Sequence, residues 1–201
     1  MGDTAHLRIG HCCPDAPNVD VAVDGATRFE NVEYAAVTDY EPFDPGDQKL
    51  TIAPAGSTAT VVSTRIPLKE NTAYTVLATG LITDIEATVL TDDPGDVSDE
   101  MAQVRLVHTS PDAPPVALTV GDTAVVDGVG FREASEYRPV RPGTHDVGLR
   151  PDDRGRLELE LSAIEFDGGS AYSVVTVGQI ETGTLAAVVT EDAAALATVT
   201  E

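Results

Sequence analysis

Tryptophan is absent from the 201 residues, aromatic residues make up 4 % of them, and lysine occurs only at Lys49 and Lys69. So few flat faces leave little on which sugars or bases could stack. Basic residues are scarce as well, 12 against 34 acidic ones, and they form no stripe. That excludes nucleic acid as a natural partner, because nothing neutralises phosphates and an acidic envelope repels them. Anionic membrane surfaces are disfavoured for the same reason. No apolar run is long enough to cross a bilayer, so no membrane span is expected. The opening Met1-Gly2-Asp3-Thr4 lacks both the basic and the apolar stretch of an export signal. The chain as given therefore reads as soluble and cytoplasmic, or as cell-surface if a signal was trimmed. The only cysteines, Cys12 and Cys13, are adjacent. They cannot staple distant strands, and they leave the redox compartment open.

What is abundant is negative charge. The formal net charge is -22, and such a surface repels itself unless salt screens it over a few ångströms, about 3 Å at 1 M. This composition predicts an extreme halophile, with cations gathered at the acidic surface. Asp15, Asp20, Asp24 and the run from Asp92 to Asp99 offer oxygen ligands, but no calcium-loop spacing is present, and a charge run reads as a solvated face.

The chain also says one thing twice. His6-Leu7-Arg8-Ile9-Gly10-His11-Cys12-Cys13-Pro14-Asp15-Ala16-Pro17 returns without a gap as Gln103-Val104-Arg105-Leu106-Val107-His108-Thr109-Ser110-Pro111-Asp112-Ala113-Pro114. Tyr40 and Pro45-Gly46 recur as Tyr137 and Pro142-Gly143 at the same offset, and Tyr74 recurs as Tyr172 after a one-residue insertion. A repeat of this length marks two units, each burying its own core. The expected domains are residues 1–93 and 102–201, joined by an acidic linker at 94–101 whose Pro94-Gly95 breaks any regular element.

Val19-Asp20-Val21-Ala22-Val23 and Leu157-Glu158-Leu159-Glu160-Leu161 alternate with the period of strands, and Pro and Gly punctuate the chain. Strands are expected near 5–12, 18–24, 34–40, 47–53, 59–66, 72–80 and 85–91, with equivalents in the second copy. About seven per copy gives an all-β fold of two tandem immunoglobulin-like antiparallel β-sandwiches. Tyr74 and Tyr172 stand where a tyrosine corner would close such a fold. Residues 192–197 read as a helical turn or a last extended segment.

A feature needed by both copies is structural, and a feature in one copy is drift or a site. His11 and His108, each followed by Asp15 and Asp112, are the candidate binding residues, as acid-base groups or ligands. The structural alternative has each imidazole hydrogen-bonding the Pro-Asp-Ala-Pro turn or its aspartate. His11 with Cys13, or His108 with Ser110, could pair a base with a nucleophile in a hydrolase. No oxyanion hole or glycine-rich elbow follows, so no catalytic residue is assigned. His6, His11, Cys12 and Cys13 are the candidate metal ligands, suited by type to zinc or copper but without Cys-x-x-Cys or His-x-x-x-His spacing. Arg8 and Arg105 are expected to pair with an acidic neighbour across the sheet. No cofactor is expected.

At Arg-x-x-His-x-x-Pro-Asp-Ala-Pro, present as Arg8 to Pro17 and Arg105 to Pro114, the chain resembles the domain-of-unknown-function family numbered 4397, in tandem. The resemblance implies an envelope or secreted β-domain common in halophiles, with no catalytic activity or cofactor to carry over. The first copy departs from the family pattern at Cys12-Cys13, and the second at Ala117. The function expected is a non-enzymatic interaction or structural module, envelope-associated or self-assembling and adapted to high salt, whose partner is another protein or a second copy. A small-molecule or carbohydrate binding module is the alternative, and a hydrolase the third.

Overall fold

The computed structural model describes residues 4–151 and 159–192. The residues 193–197 expected to form a turn or extension lie outside these, as does the first part of the 157–161 alternation. The chain divides into two compact units with the boundary between Asp93 and Pro94. Residues 98–101, expected in the linker, are bonded within the second unit. There the amide of Gly169 donates to the carbonyls of Ser98 and Met101.

The first unit contains β1 (Ala5–His11), β2 (Val19–Val23), β3 (Ala26–Val32), β4 (Glu41–Phe43), β5 (Gly46–Pro54), β6 (Val62–Leu68), β7 (Ala73–Thr79) and β8 (Glu86–Asp92). The second repeats them as β9 (Ala102–His108), β10 (Val116–Val120), β11 (Thr123–Val129), β12 (Arg138–Val140), β13 (Gly143–Pro151), β14 (Leu159–Phe166), β15 (Ala171–Val177) and β16 (Ala186–Asp192). In the first unit the sheets run β4-β1-β7-β8 and β3-β2-β5-β6, and in the second β12-β9-β15-β16 and β11-β10-β13-β14. Leu7, Ile9 and Val76 from one sheet meet Val21, Leu50 and Ile52 from the other in a single core, and Leu106, Val174, Leu118 and Leu149 do the same in the second unit. The fold is therefore all-β, a sandwich in each unit. Most neighbouring strands are antiparallel, but β1 and β7, like β9 and β15, run parallel.

Two differences from the expected strands have physical causes. Residues 34–40 are not a strand. They lie along the edge of β1 through a Gly10–Val37 bridge and the Thr38-to-Ile9 amide bond. In their place β3 forms, although its sequence lacks alternation. Phe29 and Val32 both turn inward three residues apart because a bulge with Asn31 at φ 52° resets the period. β11 repeats this with Val126, Val129 and Gly128 at φ 65°.

The turn residues behave as their chemistry dictates. Gly46 and Gly143 take φ 128° and 120°, open to glycine alone without strain. The Tyr74 hydroxyl accepts the Lys69 amide at 3.1 Å, and the Tyr172 hydroxyl accepts the Asp167 amide at 3.0 Å. Each phenol is thus tied to backbone a few residues upstream, the geometry a tyrosine corner requires.

Candidate functional site

The repeated motif occupies the end of the first strand and the turn that follows it. In the first unit the His11 Nδ1 faces the Cys13 amide at 3.3 Å and its Nε2 faces the Pro17 carbonyl at 3.0 Å. An amide can only donate, so Nδ1 carries the lone pair and Nε2–H donates to Pro17. His108 repeats this with the Ser110 amide and the Pro114 carbonyl, and adds a 2.9 Å contact between Nδ1 and the Thr176 hydroxyl. Both rings are fully buried. Burial disfavours the imidazolium and holds both pKa values below the ordinary one.

The aspartates of the turn bond elsewhere. Asp15 accepts the Ile82 amide, and Asp112 accepts the amides of Ile180 and Glu181 at 2.9 Å each. For Asp112 burial raises the pKa, but the donors at Glu181, Ile180 and Ser110 together outweigh it and leave the carboxyl below its usual value. Each aspartate thus pins its turn to the loop before the last strand of its unit. Asp20, which only the first copy carries, accepts the amides of Asn31 and Gly56, and these bonds lower its pKa. It holds the β3 bulge in place.

The paired base and nucleophile do not face each other through their reactive atoms. The His11 ring meets the Cys13 backbone rather than its thiol. The Ser110 hydroxyl donates to the Gly178 carbonyl at 2.8 Å. Nor are the four candidate metal ligands brought together. His6 stands five residues from His11 along β1, about 16 Å at roughly 3.3 Å per residue. Cys13 belongs to the core cluster while adjacent Cys12 does not, so the two side chains diverge. Among the described residues no group of three or more His, Cys, Asp or Glu is placed to hold a metal.

The second copy explains the cysteines. There Thr109 accepts no thiol-like role but bonds Thr176, its amide donating to the Thr176 hydroxyl and its own hydroxyl to the Thr176 carbonyl. The residue matching Thr176 in the first unit is Ala78. With that hydroxyl gone, Cys12 and Cys13 fill the same buried places as small, weakly polar groups.

A cluster that the sequence foreshadowed only as an arginine paired with an acidic neighbour across the sheet lies on the other face of the first strand. Leu7 and Ile9 point into the core, so Arg8 between them points outward, yet it is buried. Its Nε donates to the Thr75 hydroxyl at 2.8 Å, which donates to Asp92 Oδ2 at 2.6 Å. The Tyr40 hydroxyl donates to the same oxygen at 2.8 Å, and its ring covers the guanidinium at 4.5 Å. The second unit repeats the device with Arg105, Ser173, Asp192 and Tyr137, where Arg105 also approaches Asp192 directly at 3.5 Å. The carboxylate lies two strands from the arginine, not one, and the hydroxyl between relays the pairing. Asp92 and Asp192 are 100 positions apart, while the opening motifs are 97 apart. One extra residue before β15 and two in the loop before β16 hid the match.

A recess of about 500 Å3 in the first unit is lined by Val23, Asp24, Arg28, Phe43, Asp44 and Gln48. Arg28 stacks on Phe43 and pairs with Glu41 at 2.8 Å. Neither His11 nor Tyr40 reaches it.

The profile of a family described as "Domain of unknown function (DUF4397)" matches residues 5–119 and 102–200. No curated protein matches the chain. Among solved structures it is similar to a candidate cell adhesion protein from Bacteroides uniformis, 11 % identical, covering 94 % of this chain and 96 % of that one at a TM-score of 0.30. It is also similar to a leucine-rich repeat protein from Bacteroides thetaiotaomicron, 9 % identical, with 89 % and 26 % covered and a TM-score of 0.23. A candidate cell adhesion protein from Bacteroides fragilis follows at 10 % identity, 90 % and 84 % covered, and 0.22. Scores this low establish no common topology with any of the three.

Proposed function

The chain belongs to the DUF4397 family of domains of unknown function over both its halves, and we propose that it is a non-enzymatic interaction and structural module. One observation carries this reading. Every polar side chain that the two copies share at their opening motif is turned to a partner inside its own unit. His11 and His108 donate to turn carbonyls, Asp15 and Asp112 accept loop amides, and Arg8 and Arg105 reach buried aspartates through a hydroxyl. A general base needs its lone pair aimed at the proton it removes. Here that lone pair meets a backbone amide in both copies.

What the units leave to the outside is strand edges and an acidic envelope. A sandwich exposes edges that must be protected or used. The net charge of -22 supports work in concentrated salt, where screening lets two such surfaces approach. The one aromatic ring among the described residues lining the recess, Phe43, is buried and covered by Arg28, which leaves no open face on which a sugar could stack.

The test is turnover. Ester, peptide, glycoside and phosphoester substrates are incubated in molar salt with the wild type and with the Cys13→Ala/Ser110→Ala double variant. Equal background rates are expected for both. A rate that scales with wild-type protein and disappears in the double variant would overturn the reading.

A further inference from the structure

The two units build one end alike and charge it oppositely. At this end the short edge strand of one sheet, β4 or β12, passes through a Pro-Gly turn into a central strand of the other, β5 or β13. Leu7 lies opposite Glu41 and Ala5 opposite Phe43, and in the same register Val104 lies opposite Arg138 and Ala102 opposite Val140. Past the turn Gly46 faces Leu68, as Gly143 faces Phe166. The turn is also held alike, since Gln48 donates to the Asp44 carbonyl at 3.0 Å and His145 to the Arg141 carbonyl at 2.9 Å. Backbones that correspond in this way put side chains of matched position at matched places.

Those side chains invert in sign. Glu41 is matched by Arg138, Asp44 by Arg141, Lys49 by Asp146 and Lys69 by Asp167, while Asp47 is matched by the neutral Thr144. Exposed acids are what this composition predicts anywhere, but only 12 of the 201 residues are basic. Two arginines standing on the places of two acids are therefore not explained by composition. Nor does closing the turn need them, because Gln48 and His145 do that. Some of the inverted charges are used within their own unit, Glu41 by Arg28 and Asp146 by the Ala163 amide. Asp44, Asp47, Arg138 and Arg141 are exposed, and among the described residues their side chains enter no hydrogen bond or ion pair.

We propose that copies of this chain join through these ends, the acidic end of the first unit in one copy docking on the arginine end of the second unit in another. The inference rests on the interaction reading above and names its partner. Such docking brings Asp44 and Asp47 toward Arg138 and Arg141. Two first-unit ends would set acid against acid, and two second-unit ends arginine against arginine, so the charges also select which ends meet. The contact joins different surfaces on its two members, and each copy keeps one end of each sign for the next, so the assembly grows until it closes as a ring. The charge of -22 on each copy opposes approach from afar, but 1 M salt screens beyond about 3 Å and leaves ions in contact attracted.

The experiment is sedimentation velocity of the full chain in 1 M KCl, for the wild type, for Asp44→Arg/Asp47→Arg, for Arg138→Asp/Arg141→Asp, and for an equimolar mixture of the two variants. Circular dichroism of each variant checks that it is folded. Concentration-dependent association is expected for the wild type. Each variant alone carries like charges on both ends and is expected to associate roughly tenfold more weakly. The mixture restores unlike charges between copies and is expected to recover the association. Net charge alone predicts otherwise, because the first variant is less negative than the wild type and would associate more tightly. A monomeric wild type in 1 M KCl overturns the proposal, as does a first variant that associates as tightly as the wild type, or a mixture of folded variants that stays monomeric. None of these results bears on turnover, so the non-enzymatic reading stands or falls separately.

Discussion

His11 and His108 show how a residue type that invites a catalytic reading becomes part of the scaffold. Each ring has its Nδ1 on an amide and its Nε2–H on a proline carbonyl, which ties the turn back on the strand that precedes it. Burial lowers both pKa values, and that has a consequence for stability. Between the lowered value and about 6.5, the ordinary imidazole pKa, the unfolded chain binds protons that the folded chain refuses. Stability is then fully present above about pH 6.5 and declines as the pH falls through that value, until the folded pKa is reached. Thermal unfolding in molar salt between pH 8 and pH 5.5 is expected to show the midpoint dropping over this interval. The His11→Gln/His108→Gln double variant is expected to show a flatter profile. An equal slope in both would place the pH dependence elsewhere.

At the scale of the element, the first strand and its parallel neighbour are packed on both faces, and the two copies solve that packing differently. Gly10 lies beside Leu77 in the first unit, and Val107 lies beside Val175 in the second. A Cβ on Gly10 would come within 2.4 Å of Leu77 Cδ2. Gly10→Val alone is expected to cost about 1–3 kcal/mol by overpacking. Gly10→Val with Leu77→Val rebuilds the pair of the second unit and is expected to recover most of that loss. A double-mutant cycle by denaturant unfolding checks the coupling.

Much of the fold was legible once the copies were aligned, but this pair was not, because it lies across a parallel pairing where antiparallel strands were expected. Alternation at Val19–Val23 located β2, and the recurrence of Tyr74 and Pro45-Gly46 located the corner and the turn. β3 was not legible, because its bulge spaces Phe29 and Val32 by three residues and removes the period that marks a strand. The histidine turn was legible in kind, since turn polar groups usually bond locally, but its partners were the backbone and not the aspartates. The Arg8 and Arg105 clusters were half legible. The arginines recur in register, but their aspartates lie beyond two insertions in the second copy, and the relaying hydroxyls differ as Thr75 and Ser173.

For the whole molecule, these observations describe a chain whose repetition serves closure. In each unit the last strand ends on an aspartate bonded to a hydroxyl of the adjacent strand and to a tyrosine from the crossing loop. The first strand and the last are thereby locked two positions apart in one sheet. We propose that each unit folds as a separate domain with the division near residue 93, each needing its own lock. The acidic envelope lies outside this scheme and governs salt dependence and approach.

If closure is what the repeat encodes, removing a member of the lock must damage stability, whereas residues kept for function are often neutral or stabilising to remove. Asp192 is 2 % exposed, and deleting it removes the carboxylate that the buried Arg105 guanidinium faces at 3.5 Å. Breaking a buried pair from one side costs about 3–5 kcal/mol. The direct measurement is equilibrium unfolding of Asp192→Ala beside the wild type in 2 M KCl, followed by a signal that resolves the two units. The expected result is a loss of about 3–5 kcal/mol confined to the transition of the second unit. A variant as stable as the wild type, or more stable, would contradict the account.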